Sequence, residues 1–288
     1  MIIDLHIHSN ASDGKLTVQE IFKEAKDRNI GFLAITDHDS ISCQTQVTSL
    51  AKKEGIRQIT GVELNVTFSH PKYHKGEPVS LDFLGYQFDP NNHAFENKLE
   101  TIAKYRQERA TKILNNLNIE FKKENIPALT NDDLRQIEES VDGVLGRPHI
   151  ADYLMKKNIV KTRQEAFDKY LVKCDVPKYP LHLKEASNLI RSAGGKLILA
   201  HPNDPHGTSL ASLSKSLVEQ TEIIQDKMVP YLDGVECWHS RNTIETTNYY
   251  VEFAKKTGLI MTGGSDCHQK PILMGTVQIP ECVANQFS

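Results

Sequence analysis

The sequence predicts an α/β fold, a barrel-like parallel sheet carrying an inserted helical lobe, on three observations. Short apolar strands alternate with helical segments at both ends of the 288-residue chain. A central stretch of roughly 100 residues reads as helix throughout, and metal-ligating side chains recur where the strands stop. The length suits one large domain or two small ones.

The first strand shows in Ile3, Leu5 and Ile7 alternating with Asp4, His6 and His8, which puts both histidines on its polar face. After the loop from Ser9 to Gly14, Thr17 and Glu20 form a capping box, with Val18, Ile21, Phe22 and Ala25 at helical spacing. Phe32 to Thr36 reads as a strand running into Asp37-His38-Asp39, residues 42–54 as a helix stopped by Gly55, and Ile59 to Glu63 as a strand again. Ser80 to Phe88 reads as the next strand. Residues 93–118, 131–140, 148–157, 163–173 and 184–193 then carry helical patterns, with no convincing strand among them. Alternation resumes with a strand at Lys196 to Ala200, ending at His201-Pro202. A helix near 210–226, a strand at Gly234 to Trp238, a helix near 243–257 and a strand at Leu259 to Thr262 complete the series. The implied division is a discontinuous barrel of residues 1–92 and 191–288, with residues 93–190 as a lobe covering its site.

Composition limits the partners. With 34 Lys and Arg against 37 Asp and Glu the net charge is −3, so no broad basic field exists to hold an extended nucleic acid. The span 93–190 carries +2 and the rest −5, so any anionic partner is gripped locally. Five cysteines, odd in number and without Cys-x-x-Cys spacing, argue against a disulfide framework and a thiolate zinc site. A reducing cytoplasm is the expected compartment. The Met-Ile-Ile-Asp-Leu-His start and the absence of any apolar run near the roughly 20 residues of a membrane span predict no targeting segment and no membrane partner.

The chemistry lies in the clustering. His6 and His8, His38, Glu63, His201, His239, and Asp266 with His268 all sit where predicted strands end, and in a parallel barrel such ends converge on one face. His-x-His and Asp-x-His put both side chains on one side of a strand, so each pair is able to hold a divalent ion. Imidazole and carboxylate without thiolate suit zinc, manganese or iron. Such ions activate water near neutral pH and clamp phosphate oxygens, chemistry that needs no organic cofactor.

Asp4-Leu-His-Ile-His8, Ser12-Asp13-Gly14, Ile35-Thr-Asp-His-Asp39, Gly61-Val-Glu63, Ala200-His-Pro202 and Gly264-Ser-Asp-Cys-His268 together resemble the polymerase and histidinol phosphatase (PHP) superfamily of metal-dependent phosphoesterases. Gly146-Arg-Pro-His-Ile-Ala151 and Glu165-Ala-Phe-x-x-Tyr-Leu171 resemble its branch of 3′,5′-nucleoside bisphosphate phosphatases and a 5′-to-3′ exoribonuclease. The resemblance implies a distorted (βα)7 barrel with two or three divalent ions. His6, His8, Glu63 and Asp266 would hold one ion, and Glu63 would bridge to a second that also takes His201. Asp13, His38 and His268 would hold the third. Asp13 and His201 are the expected catalytic positions. Where relatives carry a histidine, this chain has Asp82; either it ligates through oxygen or the second site is weaker, with His74 upstream the poorer substitute.

For substrate contacts, Arg147 ahead of Pro148 sits at a helix start, where a guanidinium and free N–H groups suit phosphate, and a capping or ion-pair role is the alternative. His149 is a second candidate in the same turn. Either His239 or Glu236 reaches the site, with His239 favoured as a phosphate or leaving-group contact. Arg106 and Arg109 are expected on the solvated face of the long helix, and Cys267 is expected to pack away from its neighbours. The expected activity is hydrolysis of a small phosphorylated nucleotide, such as a 3′,5′-bisphosphate, or of the 5′ end of a short RNA. The alternatives are a histidinol-phosphate-type monoesterase and a non-catalytic metal- or nucleotide-binding domain.

Overall fold

Two sheets position the strand ends. β1 (Ile2–Ile7), β2 (Ile30–Ile35) and β3 (Arg57–Gln58) form a parallel three-stranded sheet, with α1 (Val18–Asp27) and α2 (Gln44–Glu54) as the crossovers. β4 (Gly61–Phe68), β5 (Val79–Tyr86), β6 (Lys196–Leu199), β7 (Gly234–His239) and β8 (Ile260–Gly264) form a five-stranded sheet in that order. The computed structural model describes residues 1–141 and 144–287.

The second sheet corrects the all-parallel expectation. β4 with β5 and β5 with β6 are antiparallel, and only β6, β7 and β8 run parallel. Loop length explains the first reversal: residues 69–78 contain a single helical turn at His74–Gly76, and a parallel return needs a crossover of about a dozen residues or more. Isolated parallel bridges, Ile7 with Cys267 and His38 with Glu63, join the two sheets at the strand ends. Ile3 and Leu5 of β1, Phe32 of β2, Leu84 and Tyr86 of β5 and Ile198 of β6 meet in one apolar cluster closed by Val283 and Phe287.

The capping box at Thr17 and Glu20 starts α1 as expected, and its buried face is Val18, Ile21, Phe22 and Ala25. Gly55, at φ 68°, ends α2 in a left-handed conformation that suits glycine. The strand read as Ile59 to Glu63 is instead the end of one sheet and the start of the other. β4 runs on to Phe68 because Val62, Leu64, Val66 and Phe68 keep the two-residue period on a buried face. The helix expected near 210–226 breaks into one turn at Leu210–Ser212 and then α8 (Leu217–Ile223), whose cap is Ser216.

The helices between β5 and β6 are α3 (His93–Lys123), α4 (Asn131–Glu139), α5 (Arg147–Lys156), α6 (Arg163–Ala166, continuing as a π-helix over Phe167–Leu171) and α7 (Leu183–Ser192). A separate apolar cluster runs from Ala110 to Cys174, while Phe95, Leu99 and Ile102 of α3 and Leu183, Ala186 and Ile190 of α7 pack against the strands. α3 therefore belongs to both clusters. α9 (Ile244–Thr257) and α10 (Cys282–Asn285) complete the α-helices among the described residues. No helix among the described residues is long and apolar enough to cross a membrane.

Candidate metal centre

The His-x-His pair on β1 places both imidazoles on one side, with their Nε2 atoms 3.2 Å apart and both rings buried. β8 passes so close that a Cβ at Gly264 would lie 2.3 Å from that of His6. Only glycine lets the two strands meet there, and this approach brings Asp266 beside the histidines.

Glu63, at the start of β4, is the hub. Its Oε2 lies 3.1 Å from His8 Nε2, 3.4 Å from His6 Nε2 and 3.2 Å from His38 Nδ1, and its Oε1 lies 3.0 Å from His201 Nε2. Asp266 Oδ1 lies 3.4 Å from both His6 Nε2 and His8 Nε2. Asp13 Oδ1 is 3.3 Å from His268 Nε2 and 3.9 Å from His8 Nδ1. Three groups able to hold an ion result: His6, His8, Glu63 and Asp266; Glu63, Asp82 and His201; and His8, Asp13, His38 and His268, with ligand atoms within 4.8 Å of one another in each.

Neighbours fix the rings. Glu236 Oε1 lies 3.0 Å from His6 Nδ1, so the tautomer assigned from that contact leaves the Nε2 lone pair facing Glu63 and Asp266. The His268 Nδ1 proton likewise points to the Asp266 carbonyl at 3.0 Å, leaving Nε2 for Asp13. The other Glu236 oxygen accepts the backbone N–H of His201 at 2.7 Å. Asp39, His201 and Asp266 hold φ values of 48°, 25° and 54°. Such left-handed conformations in non-glycine residues cost about 1–3 kcal/mol each and gather where function requires them.

The donor set fits divalent cations on an observation independent of the family. Nδ1 of His8, Oδ1 of Asp13 and Nδ1 of His201, all on residues of these groups, are buried without a hydrogen-bond partner among the described residues, which ordinary cores avoid. Imidazole and carboxylate ligands suit zinc, manganese or iron alike.

Charge balance agrees. Burial alone would raise Glu63, Asp13 and Asp266, but the adjoining histidines hold all three carboxyls well below the usual range. Burial opposes the charged imidazoles too, yet Asp266 and Glu63 push His8 up to about 10, and Glu63 pushes His201 up to about 9. In the absence of cations these histidines keep protons where a cation would otherwise balance the carboxylates.

Asp82 on β5 accepts from the Asn65 amide and the Thr208 hydroxyl while facing Glu63 and His201, whereas His74 lies in an exposed turn outside all three groups. The three groups open into one cavity of about 300 Å³, lined also by Arg106, Arg109, Arg147 and Lys178.

Arg147 lines that cavity but already pairs with Asp175 at 2.7 Å. The structure does not bring His149 to the lining: its Nδ1 accepts the Gly146 N–H at 3.0 Å, a cap for α5. His239 stands behind Asp266, with Nε2 3.5 Å from Oδ2, while Nδ1 accepts the Arg241 N–H. Arg106 and Arg109 leave the solvated face expected of them. Arg106 Nε donates to Asp39 Oδ2 at 3.0 Å, and buried Arg109 pairs with Asp175. Cys267 packs into an apolar cluster as expected. Lys178 carried no local sequence signal, whereas Asp39 stood inside a recognised motif.

A family model described as the PHP domain matches residues 4–175, well over half of the chain. The chain belongs to this family. It is 28% identical over 270 residues to a 3′,5′-nucleoside bisphosphate phosphatase of Chromobacterium violaceum, covering 92% of this chain and 87% of that one. It is 32% identical to a 5′-3′ exoribonuclease of Haemophilus influenzae, over 92% of this chain and 89% of that one. A solved structure from Bifidobacterium adolescentis, described as a metal-dependent phosphoesterase, superimposes with a TM-score of 0.81 at 28% identity, covering 99% of this chain and 94% of that one. The PHP chain is accordingly an enzyme, a metal-dependent hydrolase of phosphoric esters.

Proposed function

We propose that this PHP phosphoesterase removes a phosphate from a small phosphorylated nucleotide of the 3′,5′-nucleoside bisphosphate class. One observation carries the reading: the carboxylate and histidine groups and the cationic side chains of the helical region share a cavity of about 300 Å³. That is the small end of ligand pockets, a size for one nucleotide. The name of the Chromobacterium violaceum relative supports the same class.

In this reading His6, His8, Glu63 and Asp266 hold one divalent ion, Glu63, Asp82 and His201 a second, and Asp13, His38 and His268 a third, with His8 adjoining. When held, such ions supply an activated water and neutralise phosphoryl oxygens. The chain's own residues set the geometry. Glu236 orients His6, the Asp266 carbonyl orients His268, and Glu63 spans the first two groups. Asp13 and His201 are the positions whose loss stops turnover, and Arg147 contributes positive potential at the wall although Asp175 engages it. His239 acts through Asp266, and His149 acts through the start of α5. The two sheets close as a distorted (βα)7 barrel built from residues 1–92 and 191–288, supported by the bridges at Ile7 and His38, with residues 93–190 as a lobe over the mouth. The cytoplasm is the proposed compartment.

The 32% identity to an exoribonuclease favours a second reading, digestion from an RNA 5′ end. Phosphate release from adenosine 3′,5′-bisphosphate, histidinol phosphate and a 5′-phosphorylated RNA oligonucleotide, with manganese, zinc or iron supplied, separates the readings. The bisphosphate is expected to show the highest kcat/KM. An RNA value more than tenfold higher would overturn the mononucleotide reading.

A further inference from the structure

Five arginine and lysine side chains line the cavity, and four are already matched. Arg106 engages Asp39, Arg109 and Arg147 share Asp175, and Arg241 engages Asp204. Lys178 lines the same cavity, half-buried, with neither a hydrogen bond nor an ion pair among the described residues. Burial depresses its ammonium, Asp82 offsets this in part, and Arg106 and Arg147 depress it further. A cation crowded in this way gains from an incoming anion more than its paired neighbours do.

Its backbone is held in place from both sides. Pro177 and Pro180 flank Lys178-Tyr179, which restricts the chain before any ligand arrives. The Pro177 carbonyl accepts the Tyr105 hydroxyl at 3.2 Å, and Tyr179 packs edge-on against Tyr105 with ring centres 5.6 Å apart. The Tyr179 hydroxyl accepts from Lys98 at 3.2 Å, and the Leu181 carbonyl accepts the Thr67 N–H of β4 at 2.7 Å. The segment is thus fastened to α3 and to β4, the strand that carries Glu63, so less ordering is needed when an anion binds.

We propose that Lys178 is a specificity-determining residue that binds the second, non-reacting phosphate of a bisphosphorylated substrate while the first lies over the carboxylate and histidine groups. This rests on the phosphoesterase reading of the cavity and names the substrate feature that the cavity selects. The paired arginines hold the wall together, and Lys178 supplies the uncommitted charge.

Lys178→Ala and Lys178→Arg in the full-length, manganese-loaded enzyme test the assignment. Loss of one charged hydrogen bond predicts that K178A lowers kcat/KM on adenosine 3′,5′-bisphosphate roughly 10- to 100-fold more than on 3′-AMP, chiefly through KM. K178R should recover part of the difference. Equal losses on the two substrates, or no loss on either, would overturn the proposal. Binding of adenosine 5′-phosphate by calorimetry keeps the two claims separate. If wild type turns over neither nucleotide yet binds adenosine 5′-phosphate through Lys178, the bisphosphatase reading falls and the anion site stands. If K178A binds that probe as well as wild type does, the anion site falls.

Discussion

Glu236 Oε1 sits 3.0 Å from His6 Nδ1 with both side chains fully buried, and its second oxygen takes the His201 backbone N–H. One carboxylate therefore orients a ring from the first ligand group and a loop from the second. Partners of this kind typically set metal affinity by about 10- to 100-fold. Glu236→Gln is expected to weaken manganese binding within that range in chelator competition, with the fold retained by circular dichroism. Unchanged affinity would remove Glu236 from the support of the centre.

Proton uptake by the centre gives a second prediction. His8 and His201 rise from 6.5 to about 10 and about 9, so their contribution to the metal-free fold is complete below pH 6.5. It fades as pH climbs through those raised values. The Tm of chelator-treated protein should therefore fall between pH 7 and pH 10 more than that of manganese-loaded protein. Adding manganese at pH 8 in weak buffer should release protons to a dye indicator, because ligand imidazoles bind metal in the neutral form. A loading that releases none would contradict the ligand assignment.

The ends of the strands were legible because local pattern and chemistry coincide there. His6 and His8 alternate with apolar Leu5 and Ile7, and the Gly264 to His268 motif needs glycine to let β8 approach β1. The reversal of β5 was less visible, since alternation in Leu81 and Phe83 is the same for either strand direction and only the ten-residue connection before it decides. Arg106 illustrates the other limit. Its helical phase does not reveal Asp39, which lies 67 positions away and meets it only in the folded chain. Lys178 likewise gains meaning only from the pairing of the arginines around it.

Asp82 tests whether the second ligand group takes an oxygen from β5. It faces Glu63 and His201 within one ligand group, held by Asn65 and Thr208. Asp82→Asn keeps the shape and removes the charge. Elemental analysis of manganese-loaded protein should then find about one ion fewer than in wild type. Asp82→His should restore the ion and shift preference towards zinc, in keeping with a nitrogen ligand. Full occupancy in the asparagine variant would place Asp82 outside the ligand set.

The Arg106 pair with Asp39 joins α3 to the loop that carries His38, and both side chains are largely removed from water. Removing one member of a buried pair leaves the other charge uncompensated, at a cost of about 3–5 kcal/mol. Arg106→Ala should lower the unfolding free energy measured by urea denaturation by an amount near the bottom of that range, because Arg106 keeps some exposure. The double variant Arg106→Met with Asp39→Asn should recover most of the loss, since no buried charge remains. Weak manganese binding in the recovered double variant would show that Asp39 also sets the position of His38. Wild-type binding would confine the pair to holding the helix against the sheet.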